Sequence, residues 1–128
     1  RPEQSNLTMA FADAALTGTT PPLLGICLGH QAIGLAAGWT LGPSEYGAVH
    51  GVPDGILCGE EHQLMTRYHS LALTPTNNRL IVTSTDAATN RLIMALVHPK
   101  LPVFGVQYHP ESAGSVNGLQ VFADFLAQ

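Results

Sequence analysis

Apolar residues recur along this chain with two different periods. Leu7, Ala10, Phe11, Ala14 and Ala15 share one helical face, and Gly18 with Pro21 and Pro22 ends that run. The next four residues, "LLGI", are short and apolar, which predicts a buried strand over 23–26. Residues 28–37 are apolar nearly all round and predict a buried helix closed by Gly38. Residues 39–58 are rich in Gly and Pro and predict small strands and turns. "MTRYHSLAL" reads as a strand with a bend in it. "RLIVTS" and "RLIMALVH" are apolar and β-branched runs, and the short "TDAATN" between them predicts an antiparallel pair. "PVFGVQY" predicts a further strand, entered through Pro102. Val116, Leu119, Phe122, Phe125 and Leu126 fall at helical spacing, with Ser115 or Asn117 as the N-cap. The order helix, strand, helix, strands, helix predicts an α/β domain with its sheet between helices.

Composition narrows the function. With 128 residues, 45% apolar and 11% charged, the chain has the make-up of one globular domain. Five Lys and Arg against a net charge of −4 leave no basic face for nucleic acid or anionic lipid. No apolar run approaches the ~20 residues that cross a bilayer. The first residues, "RPEQSNLT", carry no signal-peptide core. Two cysteines, Cys27 and Cys58, make no disulfide framework, and a cytoplasmic location with reduced thiols is expected.

The candidate chemistry starts at "GICLG", residues 25–29. A Gly-x-nucleophile-x-Gly pattern between a strand and a helix makes a sharp turn that exposes the central side chain. Gly25 and Gly29 lack Cβ atoms, so backbone can pack closely around the turn. Cys27 then sits at a helix N-terminus, where the dipole favours a thiolate and a lowered thiol pKa is expected. The backbone N–H of Leu28 points outward, where it could hold an oxyanion. A cysteine in an apolar run otherwise reads as core; a partner base would decide for chemistry.

"GVQYHPES" supplies that base. His109 follows a predicted strand at its C-terminal end, where α/β sheets place their ligands. Pro110 pushes His109 toward extended backbone, in which residues i and i+2 face the same way. Glu111 therefore reaches the His109 ring, fixing its tautomer and leaving the other nitrogen as a base toward a thiol. The result is a Cys27–His109–Glu111 triad. An exposed turn is the plain alternative for "HPE" alone.

Taken together, "GICLGHQAIG", "RYHSL" and "GVQYHPES" resemble the class I, triad-type glutamine amidotransferases, nearest to the glutaminase subunit or domain of anthranilate synthase and aminodeoxychorismate synthase. The resemblance implies a flavodoxin-like, mostly parallel sheet flanked by helices. It implies hydrolysis of L-glutamine through a γ-glutamyl thioester on Cys27, with Leu28 donating to the oxyanion. It places Gln31, Ser70 and Leu71 on the amino-acid part of glutamine. The implied partner is a chorismate-binding synthase, as a separate subunit or a fused domain, which receives the ammonia; no cofactor and no metal are implied. It further implies that strands and a Gly-Pro-Gly type loop precede the helix beginning near Gln4. On that expectation residues 1–128 are a single amidotransferase domain lacking its N-terminal strands and oxyanion loop, with impaired turnover and an exposed sheet edge. The alternatives are a γ-glutamyl hydrolase-like Cys peptidase, or an inactive truncated regulatory or binding module.

The remaining candidates read as structural. His30 is expected to be a hydrogen-bonded core residue, Trp39 a packing anchor and Cys58 a core thiol. His50 is a candidate on a loop near the partner interface. Tyr68 and His69 support the segment that carries Ser70. His62, His69 and His98 have no metal-ligand spacing.

Overall fold

The computed structural model describes residues 1–43, 49–58, 61–69, 71–86, 92–111, 115 and 118–127, without the side chains of residues 3 and 49–69. Helix α1 runs Asn6–Leu16, and the hydroxyl of Ser5 caps it by accepting from the Thr8 N–H. Strand β1 is Leu23–Ile26 and helix α2 is Leu28–Ala36, followed by Gly38 at φ +93°. Then come β2 (Thr40–Pro43), β3 (Val49–Cys58), β4 (Glu61–His69), β5 (Leu71–Thr74), β6 (Ile81–Asp86), β7 (Ile93–Val97) and β8 (Val103–Val106). Helix α3, Gly118–Leu126, follows.

The larger sheet has the order β1-β8-β7-β6-β3-β4, and β2 pairs with β5 in a second, two-stranded sheet. The α/β class is as expected, but the large sheet is mixed rather than mostly parallel. Only β1 and β8 pair in parallel among the described residues; the other described pairs are antiparallel. The reason is connection length. A parallel neighbour needs a crossover of a dozen residues or more, whereas only two residues separate β3 from β4 and five separate β7 from β8. The expected pairing of "RLIVTS" with "RLIMALVH" is the β6–β7 ladder.

One region is more regular than its composition predicts. Instead of small strands, Val49–Cys58 forms a long strand paired with β4 along its length. Its register slips between His50 and Val52, so Gly51 lies at a bulge, where glycine is commonly found. Pro53 is tolerated because β3 meets β6 only at Ile56 and Leu57 and is otherwise paired on one side. "MTRYHSLAL" does bend: the chain leaves the large sheet at His69 and enters the small one at Leu71.

Alternation along β1 and β8 sorts the layers. Gly25, Val103 and Gly105 face α2, while Leu24, Ile26 and Val106 belong to the cluster under Val121 of α3. Phe104 meets Phe125 of α3 edge to face, with ring centroids 5.5 Å apart. Helix α2 is buried over His30–Gly34, as its all-round apolar sequence predicts. A Cβ on Gly34 would overlap Leu73, so this glycine lets the two-stranded sheet close onto α2. Trp39 is buried, and its indole N–H donates to the carbonyl and side-chain oxygens of Asn77, which makes it the anchor expected. No helix among the described residues is long and apolar enough to cross a membrane.

Candidate active site

The parallel pair brings two segments side by side. Ile26 pairs with Val106 in register, and the Cys27 N–H donates to the Val106 carbonyl at 2.8 Å. The residues that leave β1 and β8 at their C-terminal ends are therefore neighbours. These are Cys27 on one strand and Gln107, Tyr108 and His109 on the other.

The turn at Cys27 is strained. Its φ is 52° with ψ −98°, the one positive φ on a non-glycine among the described residues. Such backbone costs of order 1–3 kcal/mol and persists where the surroundings enforce it. Here β1 on one side and the Cys27 carbonyl's bond from the Gln31 N–H on the other leave the turn no room to relax. The two flanking glycines contribute differently. A Cβ on Gly25 would stand 2.6 Å from the backbone carbon of Gly29 and 2.8 Å from Ile33 Cδ1, so Gly25 lets α2 start this close to the strand. A Cβ on Gly29 would meet nothing within 4 Å. Close packing of backbone thus accounts for Gly25, and it does not account for a glycine at 29.

His109 and Glu111 come together as expected: Nδ1 lies 2.6 Å from Oε1. A carboxylate can only accept, so Nδ1 is the donor of this contact, and in the neutral imidazole Nε2 is then the lone-pair nitrogen. Ser115, expected as a helix cap, donates its hydroxyl to the His109 carbonyl at 2.5 Å and so ties the start of the α3 segment to this arm. Asn117 lies outside the described residues.

The thiol departs from expectation. Burial pushes the Cys27 pKa above its ordinary 9.0, and the nearby Glu111 carboxylate adds to the rise. Hydrogen bonds from the Leu28 backbone and the Gln107 side chain work in the opposite direction and do not prevail. Position at a helix N-terminus does not by itself yield a thiolate when the sulfur is half-buried. The sulfur therefore stays protonated at neutral pH until a base removes its proton. Leu28, partly exposed, begins α2 with its N–H toward the sulfur side of the turn.

Of the residues expected on the substrate, Gln31 and Leu71 meet: Gln31 Nε2 is 3.5 Å from the Leu71 carbonyl oxygen. Ser70 lies outside the described residues, as do the side chains of His50, Cys58, His62, Tyr68 and His69. His30 is fully buried, its ring against Gly105 of β8, consistent with a core role. Gln107 was missed by sequence reasoning. It is fully buried, accepts from Gln31 Nε2 at 3.2 Å and donates to Cys27 Sγ at 3.6 Å. Its signal was present: a carboxamide ends an apolar strand two residues before the histidine, in the same alternation. A cavity of about 340 Å³ lies elsewhere, between α3 and the sheet, and is lined by none of Cys27, His109 and Glu111. No group of three His, Cys, Asp or Glu among the described residues could hold a metal ion.

The family model for class-I glutamine amidotransferases matches residues 2–128, and the chain belongs to that family. Its sequence is 34% identical over 139 aligned positions to anthranilate synthase component 2 of Mycobacterium tuberculosis, covering 98% of this chain and 56% of that protein. It is 39% identical to aminodeoxychorismate synthase of Streptomyces griseus, over 81% of this chain and 15% of that one. The chain thus spans little more than half the length of the first of these relatives. A glutamine amidotransferase from Thermotoga maritima shares the fold, with a TM-score of 0.71 over 99% of this chain and 58% of that one, at 17% identity.

Proposed function

We propose that the protein is a glutaminase that hydrolyses L-glutamine at Cys27 and passes the ammonia to a chorismate-aminating synthase. The observation that carries this reading is the 2.6 Å contact between His109 and Glu111 on the arm beside the strained Cys27 turn. In the proposed reaction Nε2 of His109 takes the thiol proton as the sulfur attacks the side-chain carbonyl of glutamine. The Leu28 N–H holds the oxygen of the tetrahedral intermediate. His109 returns the proton to the departing nitrogen, which leaves as ammonia, and a γ-glutamyl thioester remains. Water, deprotonated by His109, then releases glutamate and restores the thiol. Glu111 holds the imidazole in its working tautomer and balances its positive charge in between. Gln31, Ser70 and Leu71 hold the amino-acid end of glutamine.

A synthase partner follows from the product's chemistry. Ammonia is protonated and lost in water, so it has to be handed over at a docked interface, whether the synthase is a separate subunit or a fused domain. The names of the relatives support chorismate as the acceptor, with anthranilate or aminodeoxychorismate as product, and hence tryptophan or folate synthesis. We place this work in the cytoplasm, where the thiol stays reduced.

The test is glutamate and ammonia release from L-glutamine, alone and with a chorismate-aminating synthase. Turnover that disappears in Cys27→Ser, and chorismate amination that depends on it, are the results expected. Turnover of γ-glutamyl peptides in preference to glutamine would replace this reading with a peptidase.

A further inference from the structure

We propose that Gln107 is a positioning residue for the nucleophile: its carboxamide is the last link of a directed hydrogen-bond chain that starts at the Leu71 carbonyl and ends with an N–H aimed at the sulfur of Cys27. The proposal rests on the glutaminase reading for its catalytic meaning, but not for its geometry.

Direction is the core of the argument. A carboxamide has one end that donates and one that accepts, and a buried one turns whichever way its neighbours require. The Leu71 carbonyl can only accept, so it fixes Nε2 of Gln31 toward β5, at 3.5 Å. That same nitrogen has a second N–H, which goes to Oε1 of Gln107 at 3.2 Å. With its oxygen held there, Gln107 presents Nε2 to Cys27 Sγ at 3.6 Å. Gln107 is fully buried and Gln31 nearly so, so water does not compete for these bonds. The Gln107 backbone is tied down as well, its N–H donating to the Met94 carbonyl of β7 at 2.8 Å.

A donor at the sulfur favours the thiolate over the thiol. It offsets part of the burial that pushes the Cys27 proton affinity up. It also fixes the sulfur on the β8 side of the turn, beside the arm that carries His109. Because the chain begins at Leu71, next to the position expected to grip glutamine, displacement of that segment would loosen the donor at the sulfur.

The test reads the thiol directly. Carbamidomethylation of the Cys27 peptide by iodoacetamide is followed by mass spectrometry across pH 7–11. The protein is compared with Gln107→Glu, which keeps the shape but aims a carboxylate at the sulfur, and with Gln107→Met, which keeps the volume and loses the donor. The midpoint of Cys27 reaction is expected to rise by about one pH unit in Gln107→Met, a tenfold loss of thiolate at fixed pH, and further in Gln107→Glu. In Gln31→Glu, which replaces the donor to the Leu71 carbonyl and to Gln107 Oε1 with an acceptor, the midpoint also rises. Gln107→Met is the arm that survives if a buried carboxylate prevents folding. Midpoints unchanged in Gln107→Met overturn the proposal. Glutamine turnover is measured separately: its absence in the unsubstituted protein removes the glutaminase reading and leaves the midpoint shift standing.

Discussion

Two histidines in this chain sit in nearly the same sequence. "HPK" at 98–100 leaves β7, and "HPE" at 109–111 follows β8. Each histidine precedes a proline, and each uses Nδ1. Their surroundings are opposite. Nδ1 of His98 accepts from the backbone N–H groups of Lys100 and Leu101, at 3.0 and 2.9 Å, and so staples the β7–β8 turn. Nδ1 of His109 faces the Glu111 carboxylate and carries the proton. One imidazole is fixed as an acceptor by the turn; the other is held by an acid with Nε2 as its lone-pair nitrogen. The His-Pro pair is common to both, so it does not define a site. The residue two positions on does, together with the strand end the pair follows.

This comparison can be broken most severely by exchanging the acid of one motif with the base of the other. Glu111→Lys turns the second motif into the first and, on the proposed mechanism, is expected to lower kcat/KM for glutamine by about 10³–10⁴-fold, the usual effect of losing a triad member. Lys100→Glu, the reverse exchange, is expected to leave steady-state turnover unchanged. Equal losses in the two variants would mean that the His109–Glu111 contact carries no chemistry.

A smaller effect is expected where α3 braces the arm. A Cβ on Gly118 would overlap the Pro110 carbonyl, so Gly118→Ala has to displace the residue between His109 and Glu111. A shift of this kind costs about 10²-fold in turnover. His98 lies in the β7–β8 turn, and Gly118→Ala is expected to leave the His98 titration, followed by NMR, where it was.

Smaller still is the strain at the elbow. Cys27→Gly removes the nucleophile and also the positive-φ penalty at position 27, since glycine occupies that region freely. Net of glycine's larger unfolded-state entropy, this variant is expected to be more stable by about 1 kcal/mol in urea unfolding. A loss of stability would show that the turn holds no strain.

The smallest effect concerns His98. Burial first, then the Arg79 and Lys100 cations, hold its pKa below the ordinary 6.5. Protonation would also turn its acceptor nitrogen into a donor and break both turn bonds. With the folded pKa below the unfolded one, the unfolded chain binds the extra proton, so this contribution is complete above pH 6.5 and is lost as pH falls through the folded value. Urea midpoints for His98→Ala and the parent protein should converge slightly on going from pH 7.5 to 5.5.

The elements with clean periodicity were legible in the sequence. The strand at 23–26, the buried helix after it, the β6–β7 pair and the strand before His109 all lie where their patterns place them. The long β3 strand was hidden because Gly51 and Pro53 read as turn signals, although a bulge and a half-paired edge accommodate them. The His109–Glu111 contact was legible because it is local, set by alternation over three residues. The direction of the Cys27 pKa was not, because it depends on how deeply α2 and β8 enclose the sulfur. The carboxamide of Gln107 was readable in the alternation before His109, but its role was not, since that depends on a partner on α2 and another across the parallel pair.

On the proposed mechanism Cys27 is a nucleophile activated by His109 and held ready by Glu111, although burial raises the thiol pKa. A chloroketone analogue of glutamine, which alkylates only a sulfur that can engage the glutamine site, tests it most directly. Saturable, glutamine-protected labelling of Cys27 at neutral pH is expected, lost in His109→Ala and strongly slowed in Glu111→Ala. Labelling of Cys27 and Cys58 at equal rates, indifferent to glutamine and to both substitutions, would contradict it.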